Sequence, residues 1–248
     1  MSTLRLLIVL ALCILVLSSC ENGQSKSLPS VVDMINEPEE DFYLIVERYE
    51  SEYAEYGNLS LISKHNLISL EINGQPCSVD FANQNEVTDY YQYSFHSVWP
   101  AYDEEISYSL EFDNKTITGS LAMPSRYILG TWSFDHQEDY TLNWFLKNNP
   151  RMQWIDYTFN ETSLSDVIKI HRELMPNHRM YTLERASWSD LELMDSVTFT
   201  LQANNFRYTN GGLVWLISAY QHGMWIPSQS SGLQRIEQLI NKQIVLPR

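Results

Sequence analysis

Between residues 41 and 226, apolar and polar residues alternate with a period of two, in short runs separated by turn residues. Ile106, Tyr108, Leu110 and Phe112 alternate with Ser107, Ser109 and Glu111, and Asp113-Asn114 separates this run from Thr116 to Leu121. Successive side chains of a strand point to opposite faces, so such a run sets one apolar face on a core and one polar face in water. The pair predicts a half-buried hairpin. Ile68, Leu70 and Ile72 alternate with Ser69, Glu71 and Asn73 and lead into Asn73-Gly74. These two residues tolerate positive φ and suit the tight turn that matches strand twist. Cys77, Val79 and Phe81 follow in the phase expected to face inward, which makes Cys77 a buried core thiol. Tyr91, Tyr93 and Phe95 supply another strand, and Phe42, Leu44 and Val46 a further one, giving about six strands between residues 41 and 124.

Met123-Pro124-Ser125 interrupts the pattern, because proline cannot donate to a sheet ladder. A second set of alternating runs then begins, with Tyr140, Leu142 and Trp144; Ile155, Tyr157 and Phe159; and Val197, Phe199, Leu201 and Ala203. Gly211-Gly212 turns the chain into Leu213 to Tyr220, which is apolar on both faces. Evenly spaced short strands with few helices predict a mainly β chain of two tandem antiparallel β-sandwiches, residues 41–124 and 127–226. A Trp-bearing strand, an aromatic strand, a Tyr181/Leu183 strand and two long final strands resemble, over residues 127–226, an Ig-like module of the fibronectin type III kind. Ser163 to Leu174 fits either a helix, with Leu164, Val167, Ile168 and His171 near one face, or an alternating strand. In the tail, residues 230–248, Leu233, Ile236, Leu239 and Ile240 recur at helical spacing, which predicts a short amphipathic helix.

The N-terminus reads MSTLRLLIVLALCILVLSSC: one positive charge at Arg5, an apolar run of 12 residues from Leu6 to Leu17, then Ser18, Ser19 and Cys20. A helix crossing a bilayer needs ~20 apolar residues, so this run has the length of a secretory signal rather than a span. Leu17-Ser18-Ser19-Cys20 resembles the bacterial lipobox, a Leu and two small residues before an obligate Cys. The resemblance implies that residues 1–19 are a lipoprotein signal peptide removed before Cys20. It also implies a diacylglycerol on the Cys20 thiol and an acyl chain such as palmitate on the new amino terminus. Residues 20–40 then read as a polar tether carrying Pro29 and Pro38 and ending in acidic residues. The pattern is similar to that of surface or outer-membrane lipoproteins of Gram-negative bacteria, with the outer membrane or cell surface favoured over the inner membrane. The membrane is thereby expected as a partner, through lipid. Once Cys13 leaves and Cys20 is acylated, Cys77 stands alone and has no disulfide partner.

Chemistry is harder to find. The chain contains no phosphate-binding Gly loop, no H-E-x-x-H, no G-x-S-x-G and no paired C-x-x-C. No cofactor is implied. A net charge of −15 argues against nucleic acid as a partner, since its affinity comes mainly from Lys and Arg neutralising phosphates. Asp135, Glu138 and Asp139, beside His136, form the sharpest local cluster of oxygen ligands, but their spacing matches no calcium loop, and a solvated acidic loop accounts for them. His171 and His178 lack the further Cys or His that zinc would need. Aromatic residues make up 12% of the chain, and most sit in the inward phase. Trp154 lies in the opposite phase to Ile155, Tyr157 and Phe159, and Trp132 falls near a strand end; these two are the candidate binding surface. The expectation is a non-catalytic envelope lipoprotein for adhesion, ligand capture or assembly, with a glycan, a peptide or another envelope protein as ligand. The alternatives are a hydrolase acting on glycans through carboxylates such as Asp135 and Glu138, and a structural spacer.

Overall fold

A computed structural model describes residues 34, 38–51, 53–85, 87–96, 100–113, 115–130, 139–160, 167–184 and 196–225. Among these residues fifteen strands form. They are β1 (Phe42–Ser51), β2 (Glu55–Ser63), β3 (Leu67–Ile72), β4 (Gln75–Pro76), β5 (Val79–Asn85), β6 (Tyr90–Phe95), β7 (Glu105–Phe112) and β8 (Lys115–Ala122). The second half of the chain adds β9 (Ile128–Leu129), β10 (Tyr140–Phe145), β11 (Met152–Asn160), β12 (Val167–Leu174), β13 (Met180–Leu183), β14 (Ser196–Thr209) and β15 (Gly212–Trp225). The mainly β expectation holds. The stretch that fitted either helix or strand is strand from Val167 onward. The signal peptide, Cys20, most of the tether and the 230–248 tail lie outside the described residues.

The two sets of strands do not build separate sheets. One eight-stranded sheet runs β12-β11-β14-β15-β1-β2-β6-β5, so strands from both sides of residue 124 share it, beside a four-stranded sheet β4-β3-β7-β8 and a three-stranded sheet β13-β10-β9. The expected pair of independent sandwiches divided at 123–126 is corrected accordingly. The described residues from Glu39 to Trp225 fall in one compact unit. The halves join where β1 runs parallel to β15, from Phe42 opposite Gly212 to Ser51 opposite Gln221, in a sheet whose other pairings are antiparallel. The physical reason lies in the two strands themselves. Phe42 to Val46 and Leu213 to Ile217 are buried on both faces. A strand apolar on both faces belongs in the middle of a sheet, where both faces are covered. Pairing β1 with β15 gives each of them two strand neighbours.

Two apolar cores nevertheless follow the two halves of the chain. Phe42, Leu44 and Val46 of β1, Leu59 and Leu61 of β2, and Tyr93 and Phe95 of β6 pack with Leu70 and Ile72 of β3 and the inner residues of β7. Val214 and Leu216 of β15 complete this first core. The second gathers Tyr140, Leu142 and Trp144 of β10 against Ile155 and Tyr157 of β11 and Val197, Phe199, Leu201 and Ala203 of β14. Both cores lie on one face of the large sheet, because the cross-strand pairs Leu201–Tyr220, Ala203–Ser218 and Leu216–Val46 keep these residues in one phase.

A polar joint sits where the first-half strands meet the linker. Arg126 binds both carboxylate oxygens of Glu50, whose side chain is only 12% exposed. Arg48 pairs with Glu55, donates to the Pro100 carbonyl at 2.8 Å and stacks 4.1 Å from the Tyr102 ring. Asp103 accepts from the Ser125 hydroxyl and from the Asn148 amide at 2.8 Å. Residues 123–126, expected as an interdomain linker, therefore form a pinned corner. Arg126→Ala leaves Glu50 without its cation in a mostly buried position, and should destabilise the protein by about 2 kcal/mol, read as a lower urea midpoint. An unchanged midpoint would show that the corner carries no stability.

Local details follow the turn chemistry. Asn73 and Gly74 both take positive φ, 52° and 71°, and close the β3–β4 hairpin; Gly211, at 93°, turns β14 into β15. The β7–β8 hairpin forms with Phe112 opposite Lys115, as the alternation predicts. Two phase expectations are corrected. A bulge between Leu67 and Ser69 shifts the register, and Ile68 is exposed while Leu70 and Ile72 are buried. β5 is the edge of the large sheet, so Val79 and Phe81 are exposed, and Cys77 is half-buried rather than fully enclosed. Partial burial still raises the Cys77 thiol above its ordinary pKa, which keeps it protonated and unreactive near neutrality.

Burial also raises several tyrosines. Tyr49 and Tyr102 are each pushed up to about 12, and Tyr127, Tyr140 and Tyr157 go higher still. In the unfolded chain a tyrosine titrates near ~10, so the folded state holds these protons more tightly. Stability from this source is complete below about pH 10 and is lost as the pH rises from there toward the folded values, about 12 and above. The urea midpoint should stay level from about pH 8 to 9.5 and drop steeply above about pH 10.5, with tyrosinate absorbance appearing together with unfolding. Tyrosine ionisation completed at about pH 10 in a still-folded protein would contradict it.

Candidate functional site

The opposite face of the large sheet, turned away from both cores, changes character along its strands. Around β1 and β15 one end is buried: Tyr43, Ile45, Leu213, Trp215 and Ile217 are each less than 5% exposed. The other end is open and mixes aromatic with polar residues. The register sets Glu173, Trp154, Gln202, Ala219, Tyr49 and Tyr56 side by side across β12, β11, β14, β15, β1 and β2. Two residues further along the strands, a second row holds His171, Asp156, Thr200, Gln221 and Ser51. Cross-strand neighbours on one face lie ~5 Å apart, so each row is a continuous surface of touching side chains.

Trp154 is fixed in place. Its indole N–H donates to Gln202 Oε1 at 2.7 Å, its ring meets Trp215 edge-on at 6.1 Å between centroids, and the His171 ring lies 5.6 Å away. Trp215 is in turn held by its own indole N–H, which donates to Asn204 Oδ1 at 2.8 Å. His171 Nδ1 lies 2.6 Å from Asp156 Oδ1, with side chains 60% and 38% exposed, so the pair sits in solvent beside the tryptophan. At the far end of the first row, Tyr49 and Tyr56 stack at 4.5 Å, and the Tyr49 hydroxyl donates to Gln221. Asn58 Nδ2 donates to Glu47 Oε2 at 3.0 Å beside them. Burial and the neighbouring Tyr56 raise the Tyr49 pKa, so its hydroxyl stays a donor near neutrality. Two aromatic stations thus flank the short Ala219, with amides, a hydroxyl and carboxylates between and around them.

Of the residues singled out from sequence, Trp154 lies on this platform, partly exposed as its phase predicts. Trp132, Asp135 and Glu138 lie outside the described residues, as does Cys20. Asp139 is exposed one residue before β10, a strand of a different sheet from the one that carries Trp154. Among the described residues, no three His, Cys, Asp or Glu side chains gather as metal ligands. No helix among them is long and apolar enough to cross a membrane. The partners of Trp154 escaped the sequence reading because they come from β12, β14, β15 and β1. Their outward phase was legible in the alternation of Thr200 and Gln202 with Leu201, but the order of strands in the sheet was not. No protein-family model matches this chain, and no curated protein matches it.

Proposed function

We propose that this protein is a lipid-anchored component of the bacterial cell envelope, held at the outer membrane or cell surface through Cys20, that recognises a ligand without transforming it. The observation supporting recognition is the Trp154 platform. It offers a tryptophan locked by a hydrogen bond and two ring contacts, left partly exposed on a rigid sheet. Large aromatic residues held in one orientation lose little conformational freedom on binding, and for that reason they dominate recognition surfaces. Placing such a residue on central strands rather than on a loop suits binding that needs a preformed surface. A fibronectin type III-like strand order over residues 127–226 and an amphipathic helix in residues 230–248 belong to the same reading, as do residues 20–40 acting as a tether.

The test is retention of the detergent-solubilised full chain on washed bacterial envelope fragments and on intact cells. Trp154→Ala should lower retention about tenfold, the effect of losing one anchoring aromatic, with a retained cooperative melting transition showing that the variant is folded at the assay temperature. Retention equal to that of the unaltered protein would reject the platform as the recognition surface.

A further inference from the structure

Resting on that reading, we propose that the platform binds a neutral oligosaccharide, one sugar ring lying against Trp154 and another against the Tyr49–Tyr56 pair.

Three observations support this ligand class. The first is spacing. Trp154 and Tyr49 stand three strands apart in one row, and at ~4.8 Å per strand this is about 14 Å, the reach of a short oligosaccharide rather than of a single sugar. Gln202 and the small Ala219 stand between them in the row. The apolar C–H faces of pyranose rings pack on aromatic faces, and their hydroxyls need partners at the rim. The second observation is the kind of partner present. Asp156, Glu173, Gln202 and Gln221 border the two aromatic stations, and neither row contains a Lys or Arg. Carboxylates accept hydrogen bonds from hydroxyls, and the Gln202 and Gln221 amides, whose oxygens already accept from Trp154 and Tyr49, have N–H groups that donate to them. A surface rich in acceptors on a chain of net charge −15 repels phosphates, sulfates and anionic sugars.

The third observation separates a sugar from a peptide. Peptides that bind by adding a strand are captured through backbone hydrogen bonds at a sheet edge. The platform lies over β14, β15 and β1, in the interior of the eight-stranded order, where each strand is paired on both sides. No ladder groups remain there for a peptide backbone, and recognition falls to side chains alone. Side-chain recognition by aromatic faces and acceptors is the chemistry that suits a sugar.

The experiment titrates the full chain in detergent with neutral gluco-, xylo- and manno-oligosaccharides, disaccharide through hexasaccharide, and follows tryptophan fluorescence and binding heat. Affinity for at least one series should rise with length up to the tetrasaccharide and then level off. Trp154→Ala and Tyr56→Ala should each weaken binding about tenfold. Tyr56 is 49% exposed, so its replacement should cost little stability, which the melting transition checks. Absence of binding in every series overturns the sugar assignment; if Trp154→Ala still abolishes envelope retention, the recognition reading survives without it. Displacement from envelope fragments by oligolysine but by no sugar assigns the platform to a basic peptide and likewise overturns the proposal. Sugar binding untouched by both variants places the sugar elsewhere and refutes the platform.

Discussion

Gly212→Val is expected to be the most destabilising single substitution in the large sheet, by about 3 kcal/mol, which for a domain of this size lowers the melting temperature by roughly 6 to 12 °C. Gly212 opens β15 and stands opposite Phe42 in the parallel pairing. A Cβ at this position would fall on the Phe42 ring itself. Neither side can yield easily. Phe42 is 1% exposed and belongs to the first core, while Asp41 N–H donates to the Gly211 carbonyl at 2.9 Å and Lys115 Nζ to the Asn210 carbonyl at 2.9 Å. Moving Phe42 would disturb the strand register that joins the two halves of the chain. Gly130→Ala is the matched control: its new Cβ meets Asn143 at ordinary contact distance, 3.5 Å, and should change stability by less than about 0.5 kcal/mol. In a Phe42→Leu background the cost of Gly212→Val should shrink, because the smaller side chain frees space for the added methyls. Equal melting temperatures for Gly212→Val and Gly130→Ala would show that the parallel joint is not under this steric constraint.

The same joint explains how far the sequence could be read. Local features were legible because their causes are local. Asn73-Gly74 has the backbone freedom for its turn, and the alternation of Ile106 to Phe112 names both a strand and its buried face. Two cores were legible as well, since each half carries its own inward set. The shared sheet was not. Period two gives a strand two faces but says nothing about which edges meet, and the β1–β15 pairing connects residues about 170 positions apart in the chain. Phe42 to Val46 and Leu213 to Ile217 did carry a signal, being apolar on both faces, and that signal marks central strands. The same limit applied to the platform. Trp154 announced itself by phase, whereas Gln202, His171, Tyr49 and Gln221 became its neighbours only through strand order. Edge position was equally hidden, and the inward phase expected for Val79 and Phe81 failed because β5 has a single neighbour, β6.

The proposed anchor makes the other large prediction, an all-or-none change of location with Cys20→Ala. The apolar run Leu6 to Leu17 is 12 residues long, short of the ~20 that a spanning helix needs, so the proposal assigns membrane attachment to lipid alone. Each buried CH₂ of an acyl chain contributes ~0.8 kcal/mol, and two or more chains hold a protein on a membrane stably where one does so only reversibly. Removing the Cys20 thiol removes the site of the diacylglycerol and, with it, the cleavage that exposes the amino terminus for a further chain. The altered protein should lose incorporation of an alkyne-tagged palmitate entirely. It should also run as a larger precursor retaining residues 1–19, or appear in the soluble fraction. Cys13→Ala, within the apolar run, should leave labelling and size unchanged, which separates loss of the acceptor thiol from general damage to the N-terminus. Undiminished palmitate labelling in Cys20→Ala would refute the anchor. The Trp154 platform would then have to be tested on a soluble protein, where its recognition of a ligand does not depend on attachment to any membrane.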